Sequence, residues 1–451
     1  MQVIRADRAL LPSGWARDVS VAIGADGRIA AIGGEDAATI RVDCLLPAPA
    51  NLHSHAFQRA MAGMTESRGP EAQDSFWTWR RLMYRFLDRI TPDQVQAIAA
   101  FVQMEMLESG YGANVEFHYL HHRPDGQPHD DIAEMAARIG AAAAESGIGL
   151  TLLPVHYQFG GCDFRPLGPG QRRFGTDRDT FLHLHEASRQ ALTALPADHV
   201  IGAAPHSLRA VAPEALDWIA ALPGPLHVHL AEQTAEVDEV QAALGARPVE
   251  WFLDHVDTPA RWCAIHATQM TPGETGALAR SGAVAGLCPI TEANLGDGIF
   301  DGVRYLEAGG RIGVGSDSNL RISLAEELRQ LDHSQRLRDH SRAALATAER
   351  STGRRLFDAV CAGGAQAAGR DSGTIRAGGW ADLLALDMGD VDLAGLEGDM
   401  ILDSFVFAGG QRMVGDVWSA GRHLVREGRH IEREAITVAY VRAIAPLRES
   451  L

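Results

Sequence analysis

Leu45-Leu46-Pro47-Ala48-Pro49-Ala50-Asn51-Leu52-His53-Ser54-His55 is the stretch on which the fold turns. An apolar run meets two prolines and ends in two histidines with one residue between them. On an extended strand, side chains at i and i+2 share a face. His53 and His55 can therefore both turn toward one metal ion as neutral imidazoles. A lone His-x-His carries little weight, and the weight comes from three later apolar runs. His229 sits in Leu226-His227-Val228-His229-Leu230, His266 closes the run Trp262-Cys263-Ala264-Ile265-His266, and Asp317 follows Gly313-Val314-Gly315-Ser316.

Working outward, eight short apolar runs alternate with longer helical patterns: 45–52, 113–117, 149–155, 200–204, 226–230, 262–266, 283–288 and 312–316. Two helix starts are explicit, Thr91-Pro92-Asp93-Gln94 and Thr271-Pro272-Gly273-Glu274, each a capping threonine with proline at the first helical position. Eight alternating units predict an α/β TIM barrel, whose active site lies at the C-terminal strand ends. The histidines and Asp317 stand at those ends. Before the barrel, 19–23 and 28–32 read as strands joined by Gly24-Ala25-Asp26-Gly27, a hairpin signal. After it, a turn at 374–379 leads into a strand over 381–387, and further strands are expected at 403–407 and 414–418. Residues 160–175, rich in Gly, Pro and Arg, read as a long loop after the third run.

Composition sets outer limits. A chain of 451 residues with 46% hydrophobic content suits a large barrel plus a minor second domain. No apolar run approaches the ~20 residues of a membrane span, and the first residues lack a signal-peptide pattern, so a cytoplasmic protein is expected. The net charge of −17 argues against nucleic acid or an anionic membrane as partner. Cys44, Cys162, Cys263, Cys288 and Cys361 are scattered and read as buried thiols.

The order His-x-His, His, His, Asp resembles the amidohydrolase superfamily, over nearly the whole chain. The resemblance implies a (β/α)8 barrel over 45–368, beside a small β-sandwich built from 1–44 and 369–451. Asn51-Leu52-His53-Ser54-His55-Ala56-Phe57-Gln58-Arg59-Ala60, Ser75-Phe76-Trp77-Thr78-Trp79-Arg80 and His227-Val228-His229-Leu230-Ala231-Glu232-Gln233 are similar to the branch that hydrolyses the formimino group of N-formimino-L-glutamate in histidine degradation. Many binuclear members bridge two ions with a carboxylated lysine. This chain has no lysine, all 41 basic residues being arginine, so one divalent ion per chain is expected, zinc foremost and iron or manganese compatible.

The resemblance assigns His53, His55, His229 and Asp317 to the metal. Spacing alone leaves His227 and His229 open, since both share a face, and the family pattern selects the histidine three residues before a glutamate. Asp317 can also take a proton from the attacking water, Glu232 is the expected general acid/base, and His266 faces the water. Gln58, Arg80, Tyr119, His206 and Arg209 are expected to hold an anionic small-molecule substrate, with Arg209 lacking an acidic neighbour in sequence. Trp77 and Trp79 read as wall packing and Arg81 as a solvated charge. A homodimer is a family expectation. Two other readings are a deaminase of a neutral ring, such as guanine or an adenosine derivative, and a non-catalytic barrel; the complete ligand set argues against the latter.

Overall fold

Pro47 and Pro49 divide the first apolar run between two sheets. Lacking an N–H, each proline interrupts a ladder, so Ile40–Pro47 ends one strand and Ala50–Ser54 begins another. The expected single run 45–52 is thus two strands with different partners. The computed structural model describes residues 2–34, 38–66, 76–257 and 259–449. Ser75 and the side chains of Trp77 and Arg81, singled out above, lie outside the described residues.

Ile40–Pro47 belongs to an eight-stranded mixed sheet in the order Arg429–His430, Arg422–Arg426, Val414–Ser419, Leu383–Leu386, Ile40–Pro47, Gln2–Leu11, Gly14–Ile23, Ile29–Ile32. The predicted hairpin is present: Gly14–Ile23 pairs antiparallel with Ile29–Ile32, and Gly27 takes the left-handed conformation at the turn (φ 81°). The sheet curls on itself. Ala381 donates to the Gly27 carbonyl at 3.0 Å and Ile29 to that of Gly379 at 2.9 Å. The two layers of the expected sandwich are therefore one continuous sheet around its own core, which includes Ile4, Val21, Leu45 and Trp418.

The strand expected at 403–407 is not one. Asp399–Ser404 is helical and Phe405–Gly409 continues as a wider helix. Phe405 and Val406 are both fully buried. Two consecutive buried side chains suit a helix packed on both flanks, not an alternating strand. The last helix, Arg433–Glu449, lies on the barrel: Tyr440 stacks on Phe101 with ring centroids 4.0 Å apart.

The barrel strands are Ala50–Ser54, Ala113–His118, Gly149–His156, Val200–Ile201 resuming as Ala204–Pro205, Leu226–Leu230, Trp262–His266, Val284–Leu287 and Arg311–Val314. All pair in parallel. Bridges from Ala203 to Leu226 and from Ser54 to Asp317 close the ring. The capping boxes at Thr91–Gln94 and Thr271–Glu274 are formed, starting helices Pro92–Glu108 and Pro272–Ser281. No described helix is long and apolar enough to cross a membrane.

Candidate active site

Ring closure is what brings His53 to Asp317. Asp317 N–H donates to the His53 carbonyl and His55 N–H to the Asp317 carbonyl, both at 2.9 Å. The first and eighth strand ends are thereby fixed edge to edge. His53 Nε2 lies 3.2 Å from His229 Nε2 and 3.5 Å from Asp317 Oδ1, and His55 Nε2 lies 3.3 Å from the same carboxylate oxygen. Ligands about 2.05 Å from one ion at tetrahedral angles stand about 3.3 Å apart. Three separations among these four donors match that spacing, and His53 joins two close donor groups, His53–His55–Asp317 and His53–His229–His266, so the cluster suits a divalent ion.

Their electrostatics agree with that fit. Burial, with neighbouring rings, holds His53 and His229 well below the usual imidazole range and His55 at about 3, so all three are neutral donors. His55 Nδ1 donates to the Phe117 carbonyl at 3.0 Å and His229 Nδ1 to that of His206 at 3.1 Å, which turns both Nε2 lone pairs inward. Burial raises Asp317 to about 7, His266 pulling it down and Glu232 and Glu292 pushing it up.

The remaining strand ends converge on the same point. His266 Nε2 stands 3.9 Å from Glu232 Oε1 and from Asp317 Oδ2. Its Nδ1 faces Glu292 Oε1 at 3.2 Å. Burial opposes charge on His266, but Glu232, Glu292 and Asp317 outweigh it and lift the ring to about 10. Ala231, His266 and Asp317 have φ of 51°, 69° and 46°, conformations that cost about 1–3 kcal/mol each. At Asp317 the turn is held from outside: Asn319 Nδ2 donates to the Asp317 carbonyl at 3.0 Å and to Ser54 Oγ at 3.1 Å.

A cavity opens over these groups. It is lined by every residue expected of the site except His53, which is fully buried beneath it. Gln58 Nε2 donates to Tyr119 Oη at 2.9 Å. Burial and the Arg209 charge hold His206 well below its usual range, so that ring is neutral. The Arg209 Nε has no hydrogen-bond partner among the described residues. Arg209 lacks an acidic neighbour in sequence, but not in space. Burial opposes its charge, yet Glu236, Tyr157 and Glu232 together raise it. Those carboxylates come from the next barrel unit, where sequence distance does not register them. His227 stays apart from the cluster, its Nε2 on the Ala367 carbonyl at 2.8 Å.

A model described as the amidohydrolase family matches residues 44–424, and one described as the N-terminal domain of formimidoylglutamate deiminase HutF matches residues 1–39. The chain belongs to the amidohydrolase family. Among its members, a formimidoylglutamate deiminase of Pseudomonas aeruginosa is 49% identical over 99% of this chain and 100% of its own. A 5-methylthioadenosine/S-adenosylhomocysteine deaminase of Natronomonas pharaonis is 26% identical over 80% of this chain and 78% of its own. The crystal structure of an amidohydrolase from Brucella melitensis superposes with a TM-score of 0.95 at 47% identity, covering 99% of this chain and 100% of that one.

Sequence reasoning missed several residues at or around the cavity. Tyr157 lies just past the third strand end, as Tyr119 lies just past the second, and lines the cavity. Glu292 sits on the short helix Pro289–Leu295 after the seventh strand. Glu236 accepts from the Ala231 and Glu232 backbone N–H groups at 3.1 and 3.0 Å, holding the turn that carries Glu232. Neither glutamate belongs to a motif with a chemical signature.

Proposed function

We propose that this chain hydrolyses the formimino group of N-formimino-L-glutamate, giving N-formyl-L-glutamate and ammonia. The observation that carries the reading is the unequal charge of the barrel rim. Strands five to eight contribute Glu232, His266 and Asp317, while the segments after strands one to four contribute Gln58, Arg80, Tyr119, His206 and Arg209. A protonated amidine bearing two carboxylates has matching charges, and arginine suits carboxylates best. A neutral ring has no use for two arginines. The name borne by the 49% identical Pseudomonas relative supports the same substrate.

In this reading His53, His55, His229 and Asp317 hold one divalent ion, zinc foremost, through three nitrogens and one oxygen. Such an ion, when bound, supplies an acidified water at neutral pH. Asp317 turns Oδ1 toward His53 and His55, leaving Oδ2 to accept a proton as water adds to the amidine carbon. Glu232 carries a proton to the departing nitrogen, so that ammonia leaves as the tetrahedral carbon collapses. His266, donating from Nε2 between those two carboxylates, steadies the charge that develops.

The test is ammonia release from N-formimino-L-glutamate, guanine and S-adenosylhomocysteine side by side, with turnover expected from the first alone. Elemental analysis of dialysed protein is expected to give one divalent ion per chain. Two tightly held ions per chain would refute the mononuclear part.

A further inference from the structure

The expected loop at 160–175 has no part in the reading above, yet one of its side chains reaches a residue that lines the cavity. Gln171, on a short turn of helix at Pro169–Gln171, is buried and reaches Tyr157. Its amide orientation is set: Gly168 N–H donates to Gln171 Oε1 at 2.9 Å, so Nε2 is the atom that donates to Tyr157 Oη at 2.8 Å. From the other side Arg80 Nη2 approaches the same oxygen at 3.4 Å. A guanidinium can only donate.

Two donors thus converge on one phenolic oxygen, which occupies its accepting capacity and leaves its own O–H to find an acceptor. None stands within hydrogen-bond reach among the described residues. Tyr157 is 5% exposed, so bulk water is a poor substitute, and the residue lines the cavity. The ring itself is seated, 4.5 Å from His206 and 5.6 Å from Phe174 by centroid.

We infer that Tyr157 is a substrate-binding residue whose O–H donates to a carboxylate shared with Arg80, and that Gln171 positions it from the loop. The inference rests on the formiminoglutamate reading for the existence of that carboxylate. The loop then serves to present a donor polarised by two others, where a lone hydroxyl would be a weaker anion ligand.

The test compares the wild type, Tyr157→Phe and Gln171→Leu on N-formimino-L-glutamate. Tyr157→Phe removes one oxygen and keeps the ring, so KM is expected to rise about tenfold or more, with kcat within about twofold. Gln171→Leu never touches substrate and is expected to move KM the same way by a smaller factor, about threefold. Bound metal and melting temperature should match the wild type in both. An unchanged KM in Tyr157→Phe, or a loss confined to kcat, overturns the inference while leaving wild-type turnover and the substrate reading intact. No turnover by the wild type overturns both.

Discussion

Glu232 and Arg209 lie near each other in space, and substitution should separate their proposed roles. Glu232→Gln keeps the shape of the side chain and removes its capacity to carry a proton, so kcat should fall by about 10²–10⁴. Metal content should hold, since Glu232 is outside the four-donor cluster. A Glu232→Gln protein with wild-type kcat would remove it from the mechanism. Arg209→Met removes a half-buried guanidinium, and a charge-assisted hydrogen bond is worth about 1.5–3 kcal/mol. The expected loss in kcat/KM is therefore about tenfold to more than a hundredfold. Because Glu236 and Glu232 lie near that guanidinium, its removal also lets their charges push on the anion, so the upper part of that range is expected. Equal impairment on a formimino compound lacking carboxylates would make Arg209 structural. The sequence showed these two residues for different reasons. Glu232 stood in a motif; Arg209 stood at a strand mouth, but its electrostatic company was hidden because neighbours across barrel units are far apart along the chain.

At the scale of elements, register decides whether the donors meet. The first and eighth strands close the barrel through backbone hydrogen bonds of Asp317 with His53 and His55, and Gly315 is what lets them approach. A Cβ on Gly315 would stand 2.6 Å from His53 N, 2.7 Å from its carbonyl oxygen and 2.8 Å from its Cβ. All three belong to a residue locked in the ladder, so the eighth strand must shift. Overpacking of this kind costs about 1–3 kcal/mol, and the shift separates Asp317 from the histidines. Gly315→Ala is expected to fold with a lowered melting temperature, yet to lose most bound metal and activity; full metal occupancy would show that the strand ends can adjust. The strands themselves were legible because buried parallel strands read as continuous apolar runs. The errors came where local pattern and packing disagree. Pro47 and Pro49 sat inside one apolar run and cut it in two, and 403–407 looked like a strand although both Phe405 and Val406 are buried in helical structure.

On the scale of the whole molecule, the curled sheet and the barrel are tied together at the face opposite the site. Arg370 follows the helix Thr352–Ala367 and is 5% exposed. Its Nε donates to Asp382 Oδ2 at 2.6 Å, and its Nη2 to Asp382 Oδ1 and Asp198 Oδ2, both at 2.9 Å. Asp382 leads into the sheet strand Leu383–Leu386, and Asp198 into the fourth barrel strand at Val200. Arg422, on a sheet strand, grips Asp198 with two further bonds of 2.8 and 2.7 Å. Removing the central cation leaves the buried Asp382 carboxylate without its guanidinium and Asp198 with Arg422 alone, which costs about 3–5 kcal/mol. Arg370→Met should therefore lower the melting temperature markedly at pH 7 while kcat at room temperature stays near the wild type. The pH dependence has a definite sign. Burial pushes Asp198 up, but hydrogen bonds and charge from Arg422 and Arg370 outweigh it and hold the group below its usual value. A depressed folded value contributes stability above the unfolded pKa of about 3.9 and loses it as pH falls through the folded one. The wild-type advantage over Arg370→Met should accordingly be full at neutral pH and shrink below about pH 4. Calorimetric melting of both proteins between neutral and acid pH checks this, and a gap that widens toward acid would show that the cluster does not act through the Asp198 charge.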